Sequence, residues 1–117
     1  MVENDALEKA LANPAEVMEL NLRYNELTSL PAEIWHLTNL KRLNLGYNSL
    51  KSLPSEIGQL ANLEYLGLGD NKLTSLPAEI GQLTNLERIY LGDKRLIEIA
   101  RALVVFGCKI SYYGLGQ

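Results

Sequence analysis

The sequence predicts an α/β solenoid of stacked 23-residue coils, with short parallel strands on one side and short helical turns on the other. Three observations predict it. Residues 40–62, LKRLNLGYNSLKSLPSEIGQLAN, and residues 63–85, LEYLGLGDNKLTSLPAEIGQLTN, agree at 15 of 23 positions. Residues 17–39, VMELNLRYNELTSLPAEIWHLTN, keep the same frame, and a fourth copy from Leu86 keeps the apolar positions while losing the polar signature. Within each copy the apolar spacing changes from two to three, as a strand followed by a helical turn requires.

The N-terminal element is read as a capping helix within residues 1–16. Asp5-Ala6-Leu7-Glu8 resembles a capping box, Leu7, Ala10 and Leu11 share one face, and Asn13-Pro14 stops the helix. The frame places its apolar face over the open end of the first coil, across residues 4–12. The repeats occupy residues 17–94. Their strands carry Leu20/Leu22, Leu43/Leu45, Leu66/Leu68 and Ile89/Leu91, one face of each strand being buried. Pro31, Pro54 and Pro77 stand where the helical turns begin, and Ile34/Leu37, Ile57/Leu60 and Ile80/Leu83 follow at helical spacing. Asn25, Asn48 and Asn71 recur where the chain leaves the strand, placed to bond backbone groups of their own and the adjacent coil. Lys94 breaks that ladder.

Residues 95–117 are read as a C-terminal capping helix, an edge strand and a tail. Without a Pro, the fourth coil turns into a longer helix over Arg95–Phe106, stopped by Gly107. Residues 108–113 then alternate like a strand, with Ile110 and Tyr112 in place of the two strand leucines; 114–117 form a loose tail. Two closed ends favour a complete small protein over a piece of a longer array.

The residues of the repeat, and above all L-P-x-E-I-G-Q-L-x-N-L, resemble the leucine-rich repeat family over residues 17–99. They are similar to repeats of many bacterial proteins of that family and to those of Ras-associated scaffolds and Roco-type kinases. The resemblance implies a right-handed, curved leucine-rich-repeat solenoid with the parallel sheet on its concave side and α or 3-10 turns on its convex side. It also implies a protein-binding role.

Composition narrows the alternatives. Eleven Lys and Arg against fourteen Asp and Glu give a net charge of -3, which argues against a nucleic-acid or anionic-membrane binder driven by bulk charge. The single Cys108 excludes an intrachain disulfide and a Cys-rich zinc site. The polar start lacks a signal peptide's basic and apolar regions, and no apolar run could span a bilayer, so a cytoplasmic location is expected. No enzyme activity, cofactor or metal is expected. His36 falls on the convex side and Cys108 beyond the last regular coil, so they do not form a dyad. Glu64 with Glu87, and Asp70 with Asp93, share slots in adjacent coils. They read as solvated surface charge that Arg23, Arg42 and Arg88 are near enough to neutralise.

The slots beside the strand leucines vary from coil to coil, while the scaffold slots do not. They carry Arg23, Tyr24, Arg42, Asn44, Tyr47, Tyr65, Arg88 and Tyr90, the residues expected to bind a partner. Arg42, Tyr65 and Arg88 share one slot and form a row across the sheet. The expected function is a non-catalytic interaction module that holds a protein or peptide on the concave sheet. The alternative is a structural or self-associating protein, a monomer or weak homodimer, that pairs through its C-terminal edge strand or a convex Trp35. Trp35 occupies the slot of Gly58 and Gly81 and is placed against the N-terminal helix near Leu7 or Leu11, with an exposed contact role as the alternative.

Overall fold

In the computed structural model, which describes residues 5–105 and 107–112, each repeat contributes one short strand to a five-stranded parallel sheet. The strands are β1 (Glu19–Asn21), β2 (Arg42–Asn44), β3 (Tyr65–Gly67), β4 (Arg88–Leu91) and β5 (Lys109–Tyr112), in chain order across the sheet. Leu20, Leu43, Leu66, Ile89 and Ile110 align in register across all five. The first four of these are at most 4% exposed, so the period-two alternation buries one face of every repeat strand. Leu22, Leu45, Leu68 and Leu91 add a second buried row, and Ile34, Leu37, Ile57, Leu60, Ile80 and Leu83 close the core from the other side.

The helical turns are 3-10 throughout: Ala32–His36, Ser55–Gln59 and Ala78–Gln82. Pro31, Pro54 and Pro77 precede them in extended geometry, and their carbonyls accept from the N–H groups of Ile34, Ile57 and Ile80 at 3.1 Å each. A Pro there lacks only an N–H that the turn leaves unused.

Two asparagine ladders tie the coils together. The Asn48 Oδ1 accepts from the N–H groups of Asn25 and Leu27 in the preceding coil, and its Nδ2 donates to the carbonyls of Leu22, Leu45 and Gly46. Asn71 repeats the pattern one coil on, with Leu50, Leu45, Leu68 and Gly69. The Asn25 side chain, with no repeat coil before it, donates to the Arg23 carbonyl. The second ladder was not foreseen. Asn39, Asn62 and Asn85 each donate to a carbonyl one coil back, on Ala15, Thr38 and Ala61, at 2.7 to 3.0 Å.

The ends depart from the frame. Helix α1 (Asp5–Ala12) lies against β1, with Ala10 buried. The proposed capping-box bond of Asp5 and the residues before it fall outside the described side chains. At the other end a 3-10 turn, Lys94–Leu96, leads into α2 (Ile97–Leu103), which is shorter than the expected 95–106. Phe106 and the tail from 113 lie outside the described residues. The step from Arg88 to its partner Lys109 is 21 residues instead of 23, because the helix replaces the Leu-Pro turn. The Leu103 carbonyl at the end of α2 sits 2.9 Å from where a Cβ on Gly81 would be, which accounts for a glycine in that slot.

Where Lys94 interrupts the asparagine ladder, the preceding residue changes conformation. Tyr24, Tyr47 and Asp70 have φ of 60°, 57° and 54°, but Asp93 is extended at -132°. Its carboxylate instead accepts from the Arg95 N–H at 2.8 Å and pairs with the Arg95 guanidinium at 2.7 Å. These bonds hold the Asp93 carboxyl below its ordinary pKa. A depressed folded-state pKa stabilises at neutral pH and ceases to do so as pH falls through that value. Asp93→Ala is therefore expected to cost about 1 kcal/mol, typical of a lost N-cap. In Asp93→Asn, which keeps a capping oxygen, the gap to wild type should shrink as the pH is lowered below about 4, near the free-carboxyl value. Urea unfolding across that range measures both.

Candidate functional site

The surface that differs most between coils is the outer face of the sheet. Pairing aligns Glu19, Arg42, Tyr65, Arg88 and Lys109 in one row, and Asn21, Asn44, Gly67, Tyr90 and Ser111 in the next. The expected row of Arg42, Tyr65 and Arg88 thus exists with strict register. Neighbouring members stand about 5 Å apart by strand spacing.

The arginines do not do what the sequence implied. Among the described residues the ion pairs are Arg95–Asp93 and Arg101–Glu98, so Arg23, Arg42 and Arg88 neutralise no carboxylate within ion-pair reach. The Arg42 guanidinium lies 4.5 Å from the Tyr65 ring centroid. Arg88 donates to the Ser111 hydroxyl at 2.8 Å. Arg23 lies 5.1 Å and 5.2 Å from the centroids of Tyr24 and Tyr47. A weakly hydrated, planar guanidinium settles readily on a ring face, which favours this arrangement over a solvated ion pair.

Tyr24 and Tyr47 stack with centroids 4.5 Å apart and planes 14° from parallel. They are not on strands. Each is the left-handed residue of the turn that follows, which lifts its ring from the sheet; Tyr24 is 66% and Tyr47 37% exposed. Desolvation raises the Tyr47 phenol above its ordinary pKa, and Tyr24 and the hydrogen-bonded Asp70 carboxylate add to the effect.

Glycines let two other rings lie over the sheet. A Cβ on Gly69 would stand 2.8 Å from the Tyr90 ring, and one on Gly67 would stand 3.0 Å from the Tyr65 hydroxyl. Between these rings lies a hollow of about 220 Å³ bounded by Arg23, Asn44, Tyr47, Tyr65 and Tyr90, with Gly46 and Gly69 also lining it. Two larger shallow hollows flank Arg42. One, of about 360 Å³, includes Glu19, Asn21 and Asn44; the other, of about 370 Å³, includes Glu64, Glu87, Arg88 and Lys109. All eight expected binding residues (Arg23, Tyr24, Arg42, Asn44, Tyr47, Tyr65, Arg88 and Tyr90) therefore belong to one continuous face. Ser111, which positions Arg88, was missed, because the two-residue shortening of the last coil hides its slot.

Glu64 and Glu87 share a hollow with three cationic side chains, and no group of three His, Cys, Asp or Glu among the described residues could hold a metal ion. His36 is exposed on the first coil, while Cys108 precedes β5 at the opposite end of the sheet. Burial raises the Cys108 thiol pKa, the reverse of what a nucleophile needs. Trp35 is 4% exposed and belongs to the apolar cluster against which Leu7 and Leu11 pack. This corrects the alternative that an exposed Trp35 joins two copies: the ring is already covered.

A parallel sheet built one strand per repeat over a leucine core is the architecture of a leucine-rich repeat domain, and the chain belongs to that family. A family model described as a leucine-rich repeat region matches residues 9–105. Domains of this family are generally non-catalytic protein–protein interaction modules. Among solved structures, the chain is similar to a leucine-rich repeat protein of Leptospira interrogans, LIC12759, at 39% identity and a TM-score of 0.58 over 76% of this chain. It is also similar to the leucine-rich repeat domain of the type III effector XCV3220 (XopL), at 32% identity and a TM-score of 0.68 over 79% of this chain. It spans 29% and 31% of those two chains. No curated protein matches it significantly. Among the described residues, no helix is long and apolar enough to cross a membrane.

Proposed function

We propose that the chain binds an extended segment of a protein partner on the outer face of its sheet, through Arg23, Tyr24, Arg42, Asn44, Tyr47, Tyr65, Arg88 and Tyr90. The observation that carries this reading is the pre-arranged set of guanidinium and phenol groups, with Arg23 over the exposed Tyr24–Tyr47 stack and Arg42 over Tyr65. Tyr and Arg side chains dominate the energetics of protein interfaces, and rings that already hold the arginines reduce the ordering cost of binding. The face mixes Arg and Lys with Glu and Asp, which suits a partner of matching pattern better than a polyanion.

The test is a random-peptide display selection on the wild-type chain, followed by affinity measurement on variants. The Arg42→Ala/Tyr65→Ala/Arg88→Ala variant is expected to bind selected peptides at least about tenfold more weakly, as losing an anchor worth 2 kcal/mol or more implies. Its fold should survive, because none of the three is in the core, although the lost Arg88 bond to the buried Ser111 is expected to lower the thermal midpoint somewhat. A Gln59→Ala/Gln82→Ala control on the opposite side should bind normally. Binding lost in the control and kept in the triple variant would refute the proposal.

A second reading rests on β5, which is last in the sheet order and pairs only with β4 among the described strands. Self-association through that edge predicts a mass above 13.0 kDa in sedimentation that falls when Ile110 is replaced by Pro.

A further inference from the structure

Resting on the reading above, we propose that the hollow between Tyr47, Tyr65 and Tyr90 takes one aromatic side chain of a partner peptide, and that Arg23 at its edge takes a carboxylate on a neighbouring residue of that peptide. The hollow measures about 220 Å³. That is below the range of roughly 300–1,000 Å³ used by small-molecule sites, so it fits a single side chain. Its lining is three phenol rings, the Asn44 amide and two glycines, a surface that an aromatic ring meets by offset stacking or edge-to-face contact. Gly69 lets the Tyr90 ring lie against the sheet as a wall of the hollow, since a Cβ there would meet that ring at 2.8 Å.

Charge selects the second element. The two hollows flanking Arg42 each include a carboxylate, Glu19 in one and Glu64 with Glu87 in the other. The Tyr-lined hollow includes none; Arg23 is its only charged lining residue. Asp70 lies close enough to help raise the Tyr47 phenol pKa but does not line the hollow. Arg23 makes a single side-chain hydrogen bond, from Nη2 to the Tyr24 hydroxyl at 3.5 Å, and no ion pair with a described residue. A guanidinium has five N–H donors in a fixed fork, so most remain for a bidentate carboxylate, while the Tyr24–Tyr47 stack holds its plane. The whole chain is at -3, so this spot of positive charge also fixes which way an acidic segment lies.

The experiment is a nuclear magnetic resonance titration of the full isotope-labelled chain with short blocked peptides differing only at a central pair: Glu-Phe, Gln-Phe, Glu-Ala or Lys-Phe. The Glu-Phe peptide is expected to shift the amides of Arg23, Gly46 and Gly69 saturably. It should bind about tenfold more tightly than Gln-Phe or Glu-Ala, the factor that one charge-assisted contact or one buried ring supplies. Arg23→Ala should reduce Glu-Phe to the level of Gln-Phe, and Arg23→Lys should restore part of the difference. Equal affinity for Glu-Phe and Gln-Phe with shifts confined to the outer sheet face overturns this inference and leaves the proposed function standing. No saturable shift with Glu-Phe overturns it as well. Saturable shifts at His36, Gln59 and Gln82 instead would overturn both readings.

Discussion

Asn48→Ala is expected to cost at least about 3 kcal/mol, a large part of the roughly 5–15 kcal/mol that holds a domain together. The side chain is 8% exposed and makes five hydrogen bonds to backbone groups of two coils. Removing it leaves the N–H groups of Asn25 and Leu27 and the Leu22 carbonyl without their partner, at about 1–3 kcal/mol for each group that water does not reach, while the Leu45 and Gly46 carbonyls keep their bonds from the Asn71 amide and the Tyr24 N–H. Asn48→Asp should be no better, because a carboxylate cannot donate to the three carbonyls. Asn25→Ala is the comparison. It removes the one bond to the Arg23 carbonyl at a more exposed site, and should cost under about 1 kcal/mol. Equal losses for Asn48→Ala and Asn25→Ala in urea unfolding would show that the ladder does not couple the coils.

Gly92→Ala should be nearly as damaging, at about 3 kcal/mol, the upper end of the usual cost of overpacking. A Cβ there would lie 2.5 Å from the Asp70 backbone nitrogen and 3.1 Å from the Gly69 Cα, so only a shift of one coil against the next makes room. Gly46 fills the same slot two coils earlier, yet its nearest neighbour is the Asn44 side-chain oxygen at 3.2 Å, with the Gly69 carbonyl at 3.4 Å. Gly46→Ala should therefore cost well under half as much. A reversed order in thermal unfolding would contradict the close contact between the third and fourth coils.

The sequence carried the repeat, the strand register and the identity of the variable face, because those follow from spacing alone. A 23-residue period that puts Leu43 over Leu20 and Leu66 over Leu43 necessarily puts Tyr65 beside Arg42. What spacing does not carry is side-chain direction. Arg42 and Glu64 are close in slot, and pairing them is natural on paper, but the guanidinium rests on Tyr65. Tyr24 and Tyr47 stand out in the sequence only as members of the variable slots beside the strand leucines. Their left-handed backbone belongs to the turn, and the stack exists because the same turn recurs in consecutive coils. The last coil resisted for a different reason. Without the Leu-Pro turn nothing in the pattern fixes its length, so the 21-residue step and the Arg88–Ser111 bond emerge only in three dimensions. The slot of Asn39, Asn62 and Asn85 was visible as a repeat, but its donor role depends on a carbonyl one coil back.

The most direct measurement is amide hydrogen exchange on the chain, free and saturated with a display-selected peptide. Binding on the outer sheet face predicts slowed exchange along residues 19–24, 42–47, 65–70 and 88–91, with the turns at 32–36, 55–59 and 78–82 unchanged. Protection of those turns with the strands and their following residues unaffected would mean that the partner sits on the other side.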